Sequence, residues 1–249
     1  MKQLFVYCLF VTLMCSGLLY SQDDKVSLLI AGFGSLPQGD YGKSLGEDAK
    51  PTRRFGFDFG EHVGLAKPGV GLGGELNTQL LTDGLGWIVS VRYLLNSTDP
   101  SAVQREFNHQ MGDSMNVIAE TGTWHHIPVL TGFRYSLNVT QKLAVTAMIQ
   151  GGINISQAPS RKVIVDGIIA EETSLKTARD FGYEFGIGLE WADKWNLEVS
   201  YADFGVPRYE GTRKLSEIVL PGIAARTNAV LGEERSISMI LVRLGYYIF

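Results

Sequence analysis

Eight stretches of alternating apolar and polar residues, joined by connections that are short and long in turn, constrain this chain more than any other feature. The period-two stretches fall near 25–36, 68–81, 86–96, 124–137, 142–156, 180–192, 195–205 and 236–249. After the second, fourth and sixth come tight turns: Thr82-Asp83-Gly84-Leu85, Asn138-Val139-Thr140-Gln141 and Asp193-Lys194. After the first, third, fifth and seventh come long segments, roughly 37–67, 97–123, 157–179 and 206–235. A soluble sandwich has no reason to alternate in this way. A transmembrane β-barrel does, because its turns are short on one side of the membrane and its loops long on the other.

The faces of the strands agree. Tyr183, Phe185, Ile187, Leu189 and Trp191 alternate with Glu184, Gly186, Gly188 and Glu190. Ile127, Val129, Phe133, Tyr135 and Leu137 oppose Gly132, Arg134 and Ser136. In the last stretch Ile240, Val242, Leu244, Tyr246 and Ile248 share one face, and Arg243 lies on the other. A soluble barrel of lipocalin type would show the same alternation with its apolar face inward. Three features favour the membrane. The apolar faces run for about ten residues, the length of a tilted transmembrane strand. Aromatics gather at strand ends, where an interfacial girdle belongs: Trp87, Tyr135, Trp191, Trp195, Tyr246 and Phe249 by the short turns, Trp124 at the other rim. The polar faces carry glycine, glutamate, arginine, asparagine and glutamine with hardly a lysine. The expected fold is therefore all-β, an eight-stranded antiparallel up-and-down transmembrane barrel with short periplasmic turns and long extracellular loops.

The amino end indicates export. Lys2 is followed by an uncharged run from Leu4 to Tyr20, then Ser21-Gln22 and Asp23-Asp24. We read residues 1–22 as a cleaved signal peptide and 23–249 as the barrel domain. A retained helix would need about 20 apolar residues. Leu13-Met14-Cys15 lacks the small residue usual before a lipid-modified cysteine. Both cysteines, Cys8 and Cys15, fall in this leader, so the remaining 225 or so residues form one domain without disulfides or thiolate metal sites. The chain's formal charge of −4 includes Lys2, so the mature part sits at −5, unlike a nucleic-acid binder.

Gly34-Ser35-Leu36-Pro37-Gln38-Gly39-Asp40-Tyr41-Gly42 and Trp124-His125-His126-Ile127-Pro128-Val129-Leu130-Thr131-Gly132-Phe133-Arg134-Tyr135 resemble segments of the small outer-membrane β-barrel proteins, the OmpA-like and PorT-like group. The resemblance covers essentially the whole mature chain. It implies an eight-stranded barrel in a bacterial outer membrane and is nearly silent on activity.

Strand alternation sends Glu75, Arg92, Arg134, Glu184, Glu190, Glu198 and Arg243 into the lumen. Eight strands leave an interior just wide enough for side chains to fill, and buried charges must be paired. An ion-pair network plugging a polar lumen is the expectation, with a narrow ion path as its rival. Catalysis has little support: His125 and His126 point to opposite sides, and no serine stands beside them in a lipid-deacylase pattern. No catalytic residue, metal or cofactor is expected, and a lipid-modifying enzyme is the alternative class. The expected surroundings are outer-membrane lipid, lipopolysaccharide and the barrel-assembly machinery, with the loops open to a protein partner, and the barrel is expected to be a monomer. Val163-Ile164-Val165 and Ile168-Ile169-Ala170 about Asp166-Gly167 predict a hairpin that prolongs strands five and six above the membrane. Arg53-Arg54, the alternation Phe55 to Phe59, and Ile218 to Ile223 mark the other loops.

Overall fold

The computed structural model describes residues 26–43, 64–80, 84–101, 104, 116–192, 194–215 and 226–248, with the backbone alone at 215 and 226–232. The leader, Phe249 and the segments 53–59 and 218–223 lie outside the described residues.

Thirteen strands and the helical turn Gly39–Gly42 are found among them, with helical backbone also at residues 100, 101 and 104. Eight strands close into a barrel: β1 (Val26–Gln38), β2 (Ala66–Gln79), β3 (Leu85–Thr98), β5 (Thr123–Thr140), β6 (Leu143–Gln157), β9 (Ala178–Trp191), β10 (Trp195–Asp203) and β13 (Ser238–Tyr247). Their order is β1-β13-β10-β9-β6-β5-β3-β2, every neighbour antiparallel, and β1 pairs with both β2 and β13 to close the ring. These are the eight stretches read from the sequence, with β3 and β5 a few residues longer than expected and β10 and β13 shorter.

The barrel is inside out. On β9, Phe181, Tyr183, Phe185, Ile187 and Leu189 face outward and exposed, while Glu184 is buried. On β2, Val70 and Leu72 point out and Glu75 points in. From Phe181 to Trp191 the outward face of β9 spans ten residue steps. At about 3.3 Å per residue and a tilt of about 40° that is roughly 25 Å, the height of a membrane-spanning apolar band. At the turn end, Trp191 stacks on Trp195 with centroids 6.2 Å apart, and Trp195 meets Tyr246 edge-on at 5.0 Å. Tyr135 is exposed and Trp87 half-buried nearby, close to the end of the β3–β5 pairing.

Inward glycines are a condition of the narrow ring. A Cβ on Gly132 would lie 1.9 Å from the Ile149 carbonyl oxygen, and one on Gly152 would lie 2.2 Å from that of Val129. Only hydrogen fits where neighbouring strands coil this closely.

The remaining five strands lie in the segments read as long loops: β4 (Val117–Thr121), β7 (Arg161–Val165), β8 (Ile168–Leu175), β11 (Arg208–Leu215) and β12 (Arg226–Glu234). They form a second sheet in the order β12-β11-β8-β7-β4. The expected hairpin is present: β7 and β8 prolong β6 and β9, joined at Asp166 (φ 50°) and Gly167 (φ 83°), the two positive dihedrals of a type I′ turn. β4, β11 and β12 are additions that the sequence reading left as loop. Val117, Ala119, Val163, Val165 and Ala170 form the small core of this sheet.

Candidate functional site

From the short-turn end, the lumen begins with charge. Arg243 donates from Nη1 to Glu75 Oε2 at 2.7 Å, from Nη2 to Glu198 Oε2 at 2.6 Å, and from Nε to Asn196 Oδ1 at 3.2 Å. Arg134 donates from Nη2 to the same Glu198 Oε2 at 3.1 Å, and its Nη1 lies 2.6 Å from Glu75 Oε1. That last contact lacks hydrogen-bond alignment and is ionic. Arg134 Nη1 also donates to the Tyr247 hydroxyl at 3.1 Å, which in turn donates to Glu190 Oε1 at 2.5 Å. Two guanidiniums and two carboxylates thus form a closed square, with Glu190 attached through Tyr247.

A second pair lies farther from the turns. Arg92 donates to Glu184, Ser200 Oγ donates to the other oxygen of Glu184 at 2.6 Å, and Ser90 Oγ donates to Gln150 Oε1 at 2.7 Å. The Arg92 guanidinium also sits over the Phe33 ring, 4.9 Å from its centroid. All seven charged residues assigned to the lumen from the sequence are therefore in contact with one another in two groups. Arg92, Arg134 and Arg243 are buried with Glu75, Glu184 and Glu198, three charges of each sign. Glu190 differs, with 18% of its side chain exposed next to the turns. The buried set is neutral, and the odd carboxylate is the one that reaches water.

The loop-side half corrects the expectation of a lumen that is polar throughout. Phe33, Leu94, Leu130, Ala202, Phe204, Ile237, Met239 and Leu241 fill it as one buried apolar cluster. Helix α1 (Gly39–Gly42), a single turn following β1, lowers Tyr41 onto this cluster, fully buried. The Tyr41 hydroxyl is 2.7 Å from His126 Nε2, and its ring meets Trp124 edge-on at 5.4 Å. Trp124 stacks against His126 and meets Tyr209, whose hydroxyl is 2.6 Å from Ser156 Oγ.

Trp124 is thus not part of an outer girdle. It is 2% exposed, points inward, and donates from Nε1 to the Gly64 carbonyl at 3.0 Å. Period two on β5 places Trp124 with His126, Leu130 and Arg134, and that phase carries it inside. His125, on the other phase, faces outward and bonds Tyr93 OH at 2.6 Å. The two histidines therefore face opposite sides of the wall. No cluster of three or more metal-ligating side chains occurs among the described residues.

Beyond the rim one carboxylate organises the second sheet. Glu171, fully buried, accepts from Arg161 at 2.6 Å, from Arg213 at 3.0 Å and from Thr173 at 3.0 Å, which ties β7, β8 and β11 together. Burial opposes its charged form, but the Arg161 and Arg213 guanidiniums outweigh it and hold the carboxyl below the usual carboxylate range. A depressed folded pKa contributes stability that is present above the unfolded value and lost as pH falls through the folded one. The sheet is accordingly expected to keep its protection from proteases near neutrality and lose it below about pH 4, with the barrel still folded. Limited proteolysis across a pH series checks this. Glu171→Gln should be cleaved more readily at pH 7 and show no further change on acidification.

An edgeless barrel with an apolar belt outside and paired charges inside is built as a transmembrane β-barrel of the outer-membrane type. No known family model matches the chain, and no curated protein matches its sequence. Among solved structures it is similar to small outer-membrane barrels. The outer membrane protein OprG from Pseudomonas aeruginosa is 10% identical over 91% of this chain and 97% of that one, with a TM-score of 0.44. A major outer membrane protein from Thermus thermophilus is 9% identical over 90% and 99%, at 0.45. Neisserial surface protein A is 8% identical over 89% and 95%, at 0.37. At that distance nothing about binding or activity passes from them to this chain.

Proposed function

We propose that the protein is a non-conducting barrel that anchors a folded sheet outside the membrane, a structural or surface-interaction protein rather than an enzyme or a channel. The observation that carries this reading is the apolar stopper of the loop-side lumen, Phe33, Leu94, Leu130, Phe204, Met239 and Leu241 beneath Tyr41. An ion entering from the turns would meet paired charges first and then a mainly apolar buried core, where an unpaired charge is costly. The cleaved leader at 1–22 and insertion by the barrel-assembly machinery belong to the same reading, with lipopolysaccharide around the loop-side rim.

Planar-bilayer recording tests it. The purified protein is expected to insert without steady single-channel current. A steady, cation-selective current through the unmodified protein would overturn the reading in favour of a channel. A change in lipid A mass in cells producing the protein would overturn it in favour of an enzyme.

A further inference from the structure

The outward face of the second sheet carries a row of four charges of alternating sign. Glu120 on β4, Lys162 on β7, Glu172 on β8 and Lys214 on β11 are successive cross-strand neighbours. Lys162 lies 3.7 Å from Glu120, and Lys214 lies 3.2 Å from Glu172. Their side chains are 36–61% exposed, so the pairs within one chain add little to stability. Beside this row toward the hairpin tip lies an apolar one, Ile118, Ile164 and Ile169, also cross-strand neighbours, with Ile118 and Ile169 more than 40% exposed. On the other side are the small polar residues Ser174 and Thr212, paired across β8 and β11. The face is lined in ranks and has an apolar edge.

We propose that this face binds a second copy of the same chain in the same membrane. Two copies inserted with the same orientation and meeting through the same face are related by a two-fold axis along the membrane normal, and β7 and β8 are taken to run along that axis. Such an axis, placed between β7 and β8, reverses the order of the row. Glu120 then faces Lys214 of the second copy, Lys162 faces Glu172, and the same pairs recur in reverse, as an isologous interface requires. A row of − + − + is complementary to its own reversal, whereas a row of − + + − would set like charges against each other. The isoleucine rank meets its counterpart at the same height. Face-to-face sheets pack about 10 Å apart, a gap that lysine and glutamate side chains bridge.

The area is modest. Four strands at about 4.8 Å and three ranks give about 400 Å² a side, half of a standard interface. Confinement of both copies to one plane with one orientation raises their effective concentration and makes up the difference. The proposal departs from the monomer expected from the sequence. It rests on the surface-interaction reading and gives its partner, while the closed lumen is tested separately by conductance.

Two copies of the full chain with different epitope tags are co-expressed, the intact outer membrane is cross-linked before it is solubilised, so that both copies are still confined to one plane, and one copy is then captured. Parent copies are expected to co-purify. Glu120→Lys with Glu172→Lys makes the row wholly positive, and Lys162→Glu with Lys214→Glu makes it wholly negative. Each set alone should lose about tenfold or more of the co-purification, and the two sets expressed together should regain it. Lys162→Cys in one copy with Glu172→Cys in the other should be joined by a short bis-maleimide, since a gap of about 10 Å is too wide for a direct disulfide. Heat-modifiable gel mobility confirms that every variant has folded. Parent copies that fail to co-purify, like-charged rows that associate as well as the parent, or opposite rows that do not restore association would each overturn the proposal.

Discussion

Ile187→Arg is expected to abolish most of the folded barrel. Ile187 sits midway along β9 on the outward face and is 69% exposed, flanked along the strand by Phe185 and Leu189, also exposed. In water such exposure would make the change mild. At mid-membrane an arginine facing lipid costs about 2–4 kcal/mol. The long side chain cannot reach the rim cheaply from there, since several residues of β9 lie on either side of it. Folding into vesicles followed by gel electrophoresis with and without heating gives the measurement. The parent should run as a compact band that slows on heating, and the variant should show little compact band. Gly188→Arg is not a fair comparison, because a Cβ there already meets Leu197 O at 2.7 Å. Lys176, exposed near the loop rim, gives a better control: Lys176→Ile should leave folding unchanged. An Ile187→Arg protein that assembles as well as its parent would falsify the assignment of this face to lipid.

Much of the architecture was legible because a barrel wall has one period and two environments. Once Tyr183, Phe185 and Ile187 are set against Glu184, the phase of β9 is fixed and Glu190 must point in. The same arithmetic brought the lumen charges to one interior, although no spacing rule says which arginine meets which glutamate. Pairings such as Arg243 with Glu75 depend on registers that accumulate around the ring, since the two residues are 168 positions apart in the chain. Trp124 was misplaced for a different reason. Tryptophan near a strand end suggests an interface by composition, but the phase of β5 overrides it, and the phase was available from His126 and Arg134. The apolar stopper left a faint trace. Along β13 both faces are apolar at the loop end, where Met239 and Leu241 point in, and only Arg243 and Gly245 reveal the polar half. Strands β4, β11 and β12 had no clear signal because short, mixed segments such as Arg208–Leu215 become strands only by pairing with a hairpin already in place.

The two halves of the lumen also divide the work of holding the barrel shut. The loop side is held by apolar packing, which under the proposed reading is what keeps ions out. The turn side is held by charges that must all be present, because each guanidinium there serves more than one carboxylate. Glu198 Oε2 accepts from both Arg134 and Arg243, and Glu75 lies against both. Removal of one arginine therefore leaves two carboxylates short of a partner.

Arg134→Ala is expected to be the more damaging lumen change and to leave the barrel electrically silent. Arg134 is 1% exposed and is within ion-pair distance of Glu75, Glu190 and Glu198. Breaking a buried pair typically costs about 3–5 kcal/mol, and water reaching the site past Glu190 should bring the loss toward the lower end. Arg134→Lys should recover only part of it, since one ammonium cannot serve Glu198, Tyr247 and Glu75 in the geometry of a guanidinium. Adding Glu75→Gln to Arg134→Ala should restore some stability, because it removes a charge that the first change left underpaired. Urea unfolding of the protein refolded in vesicles gives these differences. The recording of current separates plug from path. With Phe33, Leu130, Phe204, Met239 and Leu241 undisturbed above the vacated site, the Arg134→Ala barrel should remain closed although weakened. A barrel that becomes conducting on losing Arg134 alone would mean that the charges, and not the apolar stopper, keep the lumen shut.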